Sequence, residues 1–551
     1  MIFALLCIIL RITYLQLINY KELIKTSNMY SLRIHKLIPT RGIIMDRNGN
    51  QLAVSVPVYD IYADPKIINS KDLFKLDKWD KLSNKLMLPL KTINQKIHNH
   101  SNSRFIYLAR QVNENTGNYI NNLKIHGIFL KKKSRRYYPY GPITAHLIGI
   151  TDIDGYGIEG VEKSFNDILM GINGKIITRK DKYGKIIEDI TCIKNVIPNN
   201  LMLSIDKRIQ LIAYNQLIKS VQKNKAKSGT VILIDINSGE ILAMTNTPSY
   251  NPNNYNHSKI ETIRNRAITD LFEPGSTVKP MVIITALHNG IITPNSVIKT
   301  IPYVINGHQI KDVTKHTKLT ITEIIQKSSN IGVSKLALSM PITELLKTYS
   351  KFGLGHTTNI GLIGENKGIL PQKKTKWSKL ERATFSFGYG LMVTPLQLAR
   401  IYAIIGSYGI YRPLSIIKVN ANAPGTRIFP KNIIKTVIHM MESVALPGGA
   451  GAIPPIKDYT IAIKTGTVKK IDHNGHYTNK YIAYTAGIAP ASNPRIAMII
   501  VINEPNNNCY YGGTVSAPIF GKITEQVLHL MNIQPDKLNL NQIHFTQSIK
   551  P

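Results

Sequence analysis

Residues 228–246, SGTVILIDINSGEILAMTN, contain two short apolar stretches on either side of Asn237-Ser238-Gly239. Apolar runs of this length around a Gly-containing turn are typical of a β-hairpin. Further strand-like stretches follow much later, at residues 459–467, 481–488 and 495–503. Between them, residues 280–445 have mainly helical spacing. A strand pair, a long helical insertion and a return to strands predict an α+β domain in which helices pack on an antiparallel sheet.

The first eighteen residues form a different kind of segment. Residues 2–18 are apolar except at Arg11, Thr13 and Gln16. As a helix, Met1–Ile18 would reach about 27 Å, close to the ~30 Å of a bilayer core. The charged start and the small-residue cleavage site of a signal peptide are not evident. A buried core helix and an uncleaved membrane anchor are the remaining interpretations, and we expect the anchor.

The basic residues around this segment do not support an outside location for the rest of the chain. Lys21, Lys25 and Arg33 follow the apolar run, and no Lys or Arg precedes it. The cytoplasmic side of a membrane helix usually carries the excess of positive charge. Either the anchor at residues 1–19 is truncated at its N-terminus, or other features set its orientation.

Between the anchor and the hairpin, strand-like and helical stretches alternate. Residues 41–61 indicate two strands, residues 68–130 look mainly helical and polar, and residues 175–190 suggest another hairpin around Tyr183-Gly184. The pattern shifts near residues 198–200. We therefore expect four parts: an anchor at 1–19, a non-catalytic mixed α/β domain at 20–200, an α+β domain at 201–535 and a C-terminal tail at 536–551.

Length and composition exclude several classes of protein. With 551 residues, 43% hydrophobic and 19% charged, the chain is too long for one domain and too apolar to be wholly disordered. Its net charge of +36 could indicate a polyanionic partner. Apart from residues 131–136, however, the basic residues are scattered, so we expect no nucleic-acid partner. Cys7, Cys192 and Cys509 lie far apart, which predicts neither a disulfide framework nor a structural zinc site.

Catalytic chemistry is indicated by residues 272–280, FEPGSTVKP. Pro and Gly mark a turn, and the residues after them can begin a helix with Ser276 and Lys279 on one face, within hydrogen-bond reach. A lysine amine that burial and positive neighbours keep neutral can accept the serine proton. The helix N-terminus offers N–H groups to a developing oxyanion. We therefore predict Ser276 as a nucleophile and Lys279 as its base.

Two further motifs follow in order, Ser328-Ser329-Asn330 and then Lys464-Thr465-Gly466-Thr467. Each motif alone is weak, because similar triplets and SxxK patterns occur elsewhere, at residues 164–166, 220–223, 227–229, 249–251 and 415–418. Those copies do not reproduce the order or the Pro-Gly turn before a helix. The ordered set SxxK, SxN and KTG is the signature of class A β-lactamases and penicillin-binding proteins.

The predicted catalytic residues have separate tasks. Ser328 can relay a proton to a leaving amine, and Asn330 can hold a substrate amide. Lys464 places positive charge beside the site, which favours a neutral Lys279 and an anionic substrate end.

The predicted substrate-binding residues are Ser329, Thr465, Gly466 and Thr467. The two threonine hydroxyls can donate hydrogen bonds to a carboxylate. The glycine is expected to leave room for a substrate that lies along the strand.

Long stretches outside these motifs also fit one family. They are RGIIMDRNGNQLAVSVP from Arg41, GIEGVEKSF from Gly157, RNRAITDLFEPGSTVKPM from Arg264, KSSNIGVSKLAL from Lys327, FSFGYGLMVTPLQLARIYA from Phe385, IAIKTGTVKK from Ile461, YTAGIAPAS from Tyr484 and YYGGTVSAPIF from Tyr510. By these segments the chain, to about residue 535, resembles the class B penicillin-binding proteins, and among them the division-specific peptidoglycan D,D-transpeptidases.

The resemblance implies a fold and a location. The fold would be an α+β chain with an N-terminal membrane anchor helix, an elongated mixed α/β pedestal domain of the dimerisation type and a β-lactamase/transpeptidase-like domain with an antiparallel sheet flanked by helices. The catalytic domain would lie in the periplasm at the division septum, held by a single pass through the inner membrane. The family usually has a longer basic segment before the anchor, which is missing here.

The resemblance also implies a reaction and partners. The D-Ala-D-Ala end of a stem peptide in nascent peptidoglycan would acylate Ser276, D-Ala would leave, and an amine of a neighbouring strand would take the acyl group. Backbone N–H groups of Ser276 and Thr467 would form the oxyanion hole, and β-lactams would acylate the same serine. A division-complex glycosyltransferase and other divisome proteins are expected partners, and no metal, nucleotide or other cofactor is implied.

Two other functions stay open on the sequence alone. A D,D-carboxypeptidase or β-lactamase of the same fold would need a base that activates water, and no motif identifies a Glu for that role. A non-catalytic division scaffold or β-lactam sensor could have lost Lys279 or Lys464, yet all three motifs are intact. The transpeptidase is therefore the preferred hypothesis.

Overall fold

The structure of the protein, a computed structural model, describes residues 1–37, 40–68, 77–171, 174–181, 186–193, 197–419, 423–451, 453, 456, 458–472, 474–507 and 509–537. The predicted turn at Tyr183-Gly184 and the tail from residue 538 lie outside the described residues.

The helices are α1 Ile2–Thr13, α2 Tyr20–Ser31, α3 Pro65–Ile68, α4 Asp77–Leu86, α5 Leu90–Asn99, α6 Glu114–Asn122, α7 Ala145–Ile148, α8 Gly160–Ser164, α9 Asn166–Met170, α10 Lys207–Lys223, α11 Ile260–Ile263, α12 Arg266–Thr269, α13 Lys279–His288, α14 Ile321–Gln326, α15 Asn330–Leu338, α16 Ile342–Lys351, α17 Lys379–Phe385, α18 Pro395–Gly406, α19 Lys431–Glu442, α20 Gly512–Val515 and α21 Ala517–Leu530.

The strands are β1 Leu32–Leu37, β2 Ile44–Met45, β3 Gln51–Ala63, β4 Ile106–Asn113, β5 Ile128–Tyr137, β6 Gly174–Lys180, β7 Ile186–Ile193, β8 Leu201–Met202, β9 Ser228–Asp235, β10 Ile241–Thr247, β11 Val297–Lys299, β12 Tyr303–Ile305, β13 His308–Ile310, β14 Lys318–Thr320, β15 Ile410–Tyr411, β16 Thr426–Arg427, β17 Ala462–Ile471, β18 Tyr477–Ala489 and β19 Ile496–Asn503.

The chain divides into two compact units. One comprises residues 1–43, 54–136 and 165–201, and the other comprises residues 44–53, 137–164 and 202–551.

The second unit is built around a five-stranded antiparallel sheet. Its strand order is β10-β9-β19-β18-β17, so the hairpin at 228–246 forms one side and β17 forms the opposite edge. Every residue of β9 and β10 is buried. Strands buried on both faces read as continuous apolar runs, which is the pattern that the sequence shows there.

Helices cover both faces of this sheet. A Cβ on Gly229 of β9 would meet Leu217 of α10, whereas Ile236, just after β9, contacts Gly406 of α18. Successive strand residues point to opposite faces of a sheet. Because Gly229 and Ile236 are seven residues apart, they point to opposite faces, and α10 and α18 therefore lie on opposite sides of the sheet. All twelve residues of α18 are buried, and its first turn is closed by a capping box between Thr394 and Gln397.

The first unit has its own core. Apolar residues from α4, α5, β3 and β4 pack together, among them Trp79 and Leu82, which are fully buried. β3 pairs with β4 over Val58–Ala63, and β1, β6 and β7 form a three-stranded antiparallel sheet. Residues 68–130 are thus less helical than the sequence predicted. The cause is tertiary pairing, because β4 and β5 both align along β3.

One residue of the basic run at 131–136 balances a buried negative charge in this unit. Lys133 Nζ lies 3.2 Å from a carboxylate oxygen of Asp60, which is fully buried, and Arg110 Nε lies 3.6 Å from the same atom. A buried carboxylate needs such compensating charge. One lysine of the run is therefore placed by internal packing.

The N-terminal segment forms an exposed helix. α1 continues into a π-helical turn at Tyr14–Ile18, and α2 follows after Asn19. Within the described part of the chain, no single helix has both the length and the apolarity to cross a membrane. Residues Ile2–Ile18 and Tyr20–Ser31 meet these requirements only together, as a pair bent by 69°.

Candidate active site

Ser276 lies on a tight turn that is held from several sides. Gly275–Val278 is a 3-10 turn, and α13 begins only at Lys279. The N–H of Gly275 donates to the carbonyl of Gly388 at 3.2 Å, and Tyr402 Oη donates to the carbonyl of Thr277 at 3.0 Å. The helix therefore starts three residues later than the sequence suggested, because the Pro-Gly turn first closes as a 3-10 turn.

Lys279 is completely buried and is the centre of the hydrogen-bond network. Its Nζ donates to the carbonyl of Ser328 at 2.6 Å, to Ser328 Oγ at 3.2 Å and to Asn330 Oδ1 at 2.7 Å. In the described residues no hydrogen bond joins Lys279 Nζ to Ser276 Oγ, so the direct contact that the spacing predicted is absent. Ser328 and Asn330 already accept hydrogen bonds from this amine, and catalytic contacts of this kind often tighten only when substrate binds.

The Ser328-Ser329-Asn330 loop is shaped by its own backbone and by one acidic residue. Ser328 has a φ of +57°, and Ser329 caps α15 by accepting the N–H of Gly332 at 2.9 Å. Asp312 accepts the backbone N–H of Asn330 at 2.6 Å and the hydroxyl of Ser329 at 2.5 Å. Ser329 is 1% exposed, so its hydroxyl positions the loop, which differs from the substrate contact predicted for it.

Lys464 approaches the same hydroxyl from the edge strand. Its Nζ donates to Ser328 Oγ at 2.9 Å and to the carbonyl of Thr465 at 3.2 Å. Ser328 Oγ thus lies between two lysine amines. The structure brings four predicted catalytic residues into one connected group, which consists of Lys279, Ser328, Asn330 and Lys464.

The electrostatics of this group favour a neutral base. Burial lowers the pKa of Lys279 well below 10.5, and the positive charge of Lys464 lowers it further, while Asp312 opposes the shift. Burial also lowers the pKa of Lys464, to about 7. An amine with such a lowered pKa can accept a proton near neutral pH.

Asn330 has a different immediate partner from the one predicted. Its Oδ1 accepts from Lys279 Nζ at 2.7 Å, and its Nδ2 lies 3.4 Å from the carbonyl of Lys311. The amide oxygen therefore orients the base. The Nδ2 group keeps donor capacity for a substrate carbonyl.

The Lys464–Thr467 motif lies on β17, which pairs with β18 alone among the described strands. Thr467 Oγ1 accepts the N–H of Gly512 at 2.9 Å, so its hydroxyl hydrogen stays available for a substrate oxygen. Thr465 is 6% exposed, and its Oγ1 lies 3.5 Å from the carbonyl of Ala450. An edge strand of this kind offers backbone groups to an extended peptide.

Gly466 is explained by packing. A Cβ at this position would lie 2.0 Å from the ring of Tyr484, closer than any real contact. Packing against Tyr484 thus gives an additional reason for the glycine, and room for substrate along the strand stays a prediction. Tyr484 itself supports the nucleophile turn, because its Oη donates to the carbonyl of Glu273 at 3.1 Å.

Two residues of this neighbourhood were missed by sequence reasoning, Asp312 and Glu273. Asp312 lies in a polar loop far from each motif, and the sequence carries no signal for it. Glu273 is 5% exposed and accepts the N–H of Gly390 at 2.9 Å and the hydroxyl of Tyr477 at 3.0 Å. Burial raises the pKa of Glu273. Its place three residues before Ser276 was the available hint.

Comparison with known proteins assigns both parts of the chain to one family. Residues 229–525 match the penicillin binding protein transpeptidase domain, and residues 36–203 match the penicillin-binding protein dimerisation domain. A crystal structure of a peptidoglycan synthetase from Bifidobacterium adolescentis superposes with a TM-score of 0.73, covers 92% of this chain and 98% of that one, and is 23% identical. At that identity the likeness shows the fold.

Curated relatives are similar over nearly the whole length. The peptidoglycan D,D-transpeptidase FtsI of Escherichia coli K12 is 58% identical over 96% of this chain and 90% of its own length. FtsI of Buchnera aphidicola subsp. Schizaphis graminum is 57% identical over 96% and 93%. The probable peptidoglycan D,D-transpeptidase PenA of Neisseria gonorrhoeae is 38% identical over 96% and 91%. The chain therefore belongs to the penicillin-binding proteins, in the FtsI family of serine-type peptidoglycan D,D-transpeptidases.

Proposed function

We propose that Ser276 carries the acyl group in the cross-linking reaction. Ser276 Oγ attacks the carbonyl carbon of the penultimate D-Ala of a stem peptide and forms an ester, while its proton passes to Lys279 Nζ. The amide bond to the terminal D-Ala breaks, and the leaving nitrogen takes a proton by way of Ser328. An amine of a second stem peptide then attacks the ester, so that an amide forms and Ser276 Oγ regains a proton.

The observation that carries this proposal is the buried amine of Lys279. Burial, and to a smaller extent the charge of Lys464, hold the pKa of Lys279 well below its ordinary value. Lys279 is also hydrogen-bonded to Ser328, which contacts Lys464 in turn. A base that is neutral before reaction, and a hydroxyl that links two amines, supply both proton transfers.

The substrate is held along β17 in this proposal. Lys464, Thr465 and Thr467 face the terminal carboxylate, and the extended stem peptide adds to the edge strand through backbone hydrogen bonds. The backbone N–H groups of Ser276 and Thr467 donate hydrogen bonds to the oxyanion of the intermediate. β-Lactams acylate Ser276 in place of the peptide.

Analysis of the products distinguishes this function from hydrolysis. Native protein and a Ser276→Ala variant are incubated with a D-Ala-D-Ala stem peptide and an amine acceptor, and the products are separated by mass. We expect D-Ala release with formation of the cross-linked amide, and neither product with the variant. Release of D-Ala with water as the only acceptor would favour a D,D-carboxypeptidase, and rapid turnover of penicillin would favour a β-lactamase.

The location and the partners follow from the same family. We propose that residues 1–19 anchor the chain in the inner membrane, with residues 20–200 as a non-catalytic pedestal and residues 201–535 as the transpeptidase domain in the periplasm at the septum. The apolar and exposed α1 supports this, as does the match to the dimerisation domain. Nascent glycan would come from a division-complex glycosyltransferase, and other divisome proteins would dock on the pedestal.

Fractionation of cells tests the anchor. A chain that lacks residues 1–31 should leave the membrane fraction and still react with penicillin in solution, because the catalytic residues lie beyond the deletion. A truncated chain that stays with the membrane would contradict the anchor.

A further inference from the structure

A cavity of about 660 Å³ lies in the transpeptidase unit beside the segment that leads to the nucleophile. Its walls include α11, α12, the start of β9 and the end of β19. Phe272 is also part of the wall, and it is paired through its backbone with Val393. The volume is within the range of about 300–1,000 Å³ that is usual for sites of small ligands. Its lining includes none of the residues assigned to catalysis.

The lining carries charges of both signs, most of which are already paired. Arg264 forms an ion pair of 2.8 Å with Asp270, and Lys470 pairs with Glu504. These pairs leave little attraction for a further ion.

Arg266 differs from the other basic residues of the lining. It is half-buried, and one nitrogen of its guanidinium group, Nη2, donates to the backbone carbonyl of Glu261 at 2.7 Å. The other, Nη1, is buried without an acceptor. Among the described residues no carboxylate lies within 4.0 Å of this guanidinium. Asp270 and Glu261 attract this charge from a longer distance, and the N–H groups of Nη1 are left to donate to the carboxylate of a ligand.

A complementary acceptor lines the same cavity. Asn503 Nδ2 donates to Ser228 Oγ at 3.0 Å, whereas Asn503 Oδ1 is buried and has no donor among the described residues. The cavity therefore combines a guanidinium nitrogen that has no acceptor with an amide oxygen that has no donor. The exposed side chain of Glu261 at the wall adds a negative group for an amine.

We propose that this cavity is a second stem-peptide site, which binds a short peptide through its free carboxylate at Arg266 and through an N–H group at Asn503. The inference rests on the proposed function, because the stem peptides of that reaction combine a terminal carboxylate with an acceptor amine. Apolar contacts with Phe272 and Ile260 complete the site. A bound peptide then touches the segment that carries Ser276.

Blocking the catalytic serine separates the two sites. The full-length protein is first acylated with penicillin, and the adduct is verified by mass. N-acetyl-L-lysyl-D-alanyl-D-alanine is then titrated into the acylated protein, and binding is followed by calorimetry. We expect saturable binding with one peptide per chain, at least tenfold weaker in Arg266→Gln. Lys259→Gln removes an exposed positive charge next to α11 but outside the cavity, so it should bind like the native protein.

A second variant shows whether weaker binding in Arg266→Gln comes from the cavity itself or from misfolding of that variant. Ile260 lines the cavity and is 86% exposed, so Ile260→Trp narrows the cavity without disturbing the core, and it should also weaken binding. No binding to the acylated native protein, or native affinity in both variants, would overturn the second site while leaving the acyl-enzyme intact. A missing adduct in the first step would instead overturn the acyl-enzyme, and this inference with it.

Discussion

Lys279 and Lys464 are both fully buried and share the hydroxyl of Ser328. Acylation needs a neutral Lys279, whose pKa lies well below 10.5, and a charged Lys464, whose pKa is about 7. The second-order rate of acylation by penicillin should therefore rise with pH as Lys279 loses its proton and fall above about pH 7 as Lys464 loses its own. Stopped-flow measurements from pH 5 to 9 check this expectation. A rate that keeps rising to pH 9 would contradict the assigned charge of Lys464.

Lys464 should also cost stability at low pH. Its pKa is about 7 in the folded protein and near 10.5 when exposed, so between these values the unfolded chain binds the extra proton. The stability of the native protein then rises with pH across that range. Lys464→Met should melt at a higher temperature than native protein below pH 7, with a difference that shrinks towards pH 10. Lys469→Met, at an exposed position of the same strand, is the control and should show no such trend.

Asp312 links the position of the catalytic loop to the charge of its base. It accepts hydrogen bonds from Ser329 and Asn330, and its negative charge raises the pKa of Lys279. Asp312→Asn keeps an acceptor and removes the charge, so the rising limb of the acylation profile should move to lower pH. Asp312→Ala removes the acceptor as well, and should cost about 1 kcal/mol of stability besides slowing acylation. If the rising part of the acylation profile of Asp312→Asn lies at the same pH as in the native protein, the electrostatic role of Asp312 is contradicted.

At the scale of elements, the nucleophile turn depends on how closely the loop at residues 386–390 approaches it. A Cβ on Gly388 would lie 2.2 Å from the carbonyl oxygen of Gly275. Gly388→Ala should therefore displace the turn and slow acylation at least tenfold. Gly390 has a similar φ, +78° against +88°, but open space around it. Gly390→Ala should show only the strain of positive φ, about 1 kcal/mol in denaturant unfolding. Equal effects on acylation would refute the close-approach argument.

The elements themselves were largely readable from sequence. The hairpin at 228–246 and the three later strands correspond to β9, β10 and β17–β19, with ends that differ by a few residues. The strand order could not be derived, because it depends on which surfaces the helices cover. Strands β4 and β5 were also missed, since these largely polar stretches become strands only through pairing with β3.

The site was predictable to the extent that its motifs are local. The order of the three motifs predicts Ser276 as the nucleophile with Lys279 and Lys464 beside it, but the contacts between Lys279, Ser328 and Asn330 come from the packing of separate elements. For the same reason, the sequence assigned Ser329 to substrate, whereas the structure shows a helix cap, and the packing of Gly466 against Tyr484 could not be foreseen. Asp312 had no sequence signal, because its partners, the hydroxyl of Ser329 and the backbone N–H of Asn330, are brought to it only by folding.

At the scale of the whole molecule, the chain has two domains of one family and is similar to FtsI proteins over nearly its whole length. The residues predicted to be catalytic all lie in the unit that holds the five-stranded sheet. The net charge of +36 is spread along the chain, and one lysine of its densest run pairs with buried Asp60. This distribution fits a protein whose function lies in one buried network rather than in a charged surface.

The most direct test is to locate a penicillin adduct by mass. Full-length native protein and Ser276→Ala are incubated with penicillin, their intact masses are followed over time, and the modified peptide is sequenced. We predict a single long-lived adduct on Ser276 in the native protein and none in the variant. An adduct on another residue, an adduct that persists in the variant, or no adduct on folded native protein would contradict the acyl-enzyme on which the account rests.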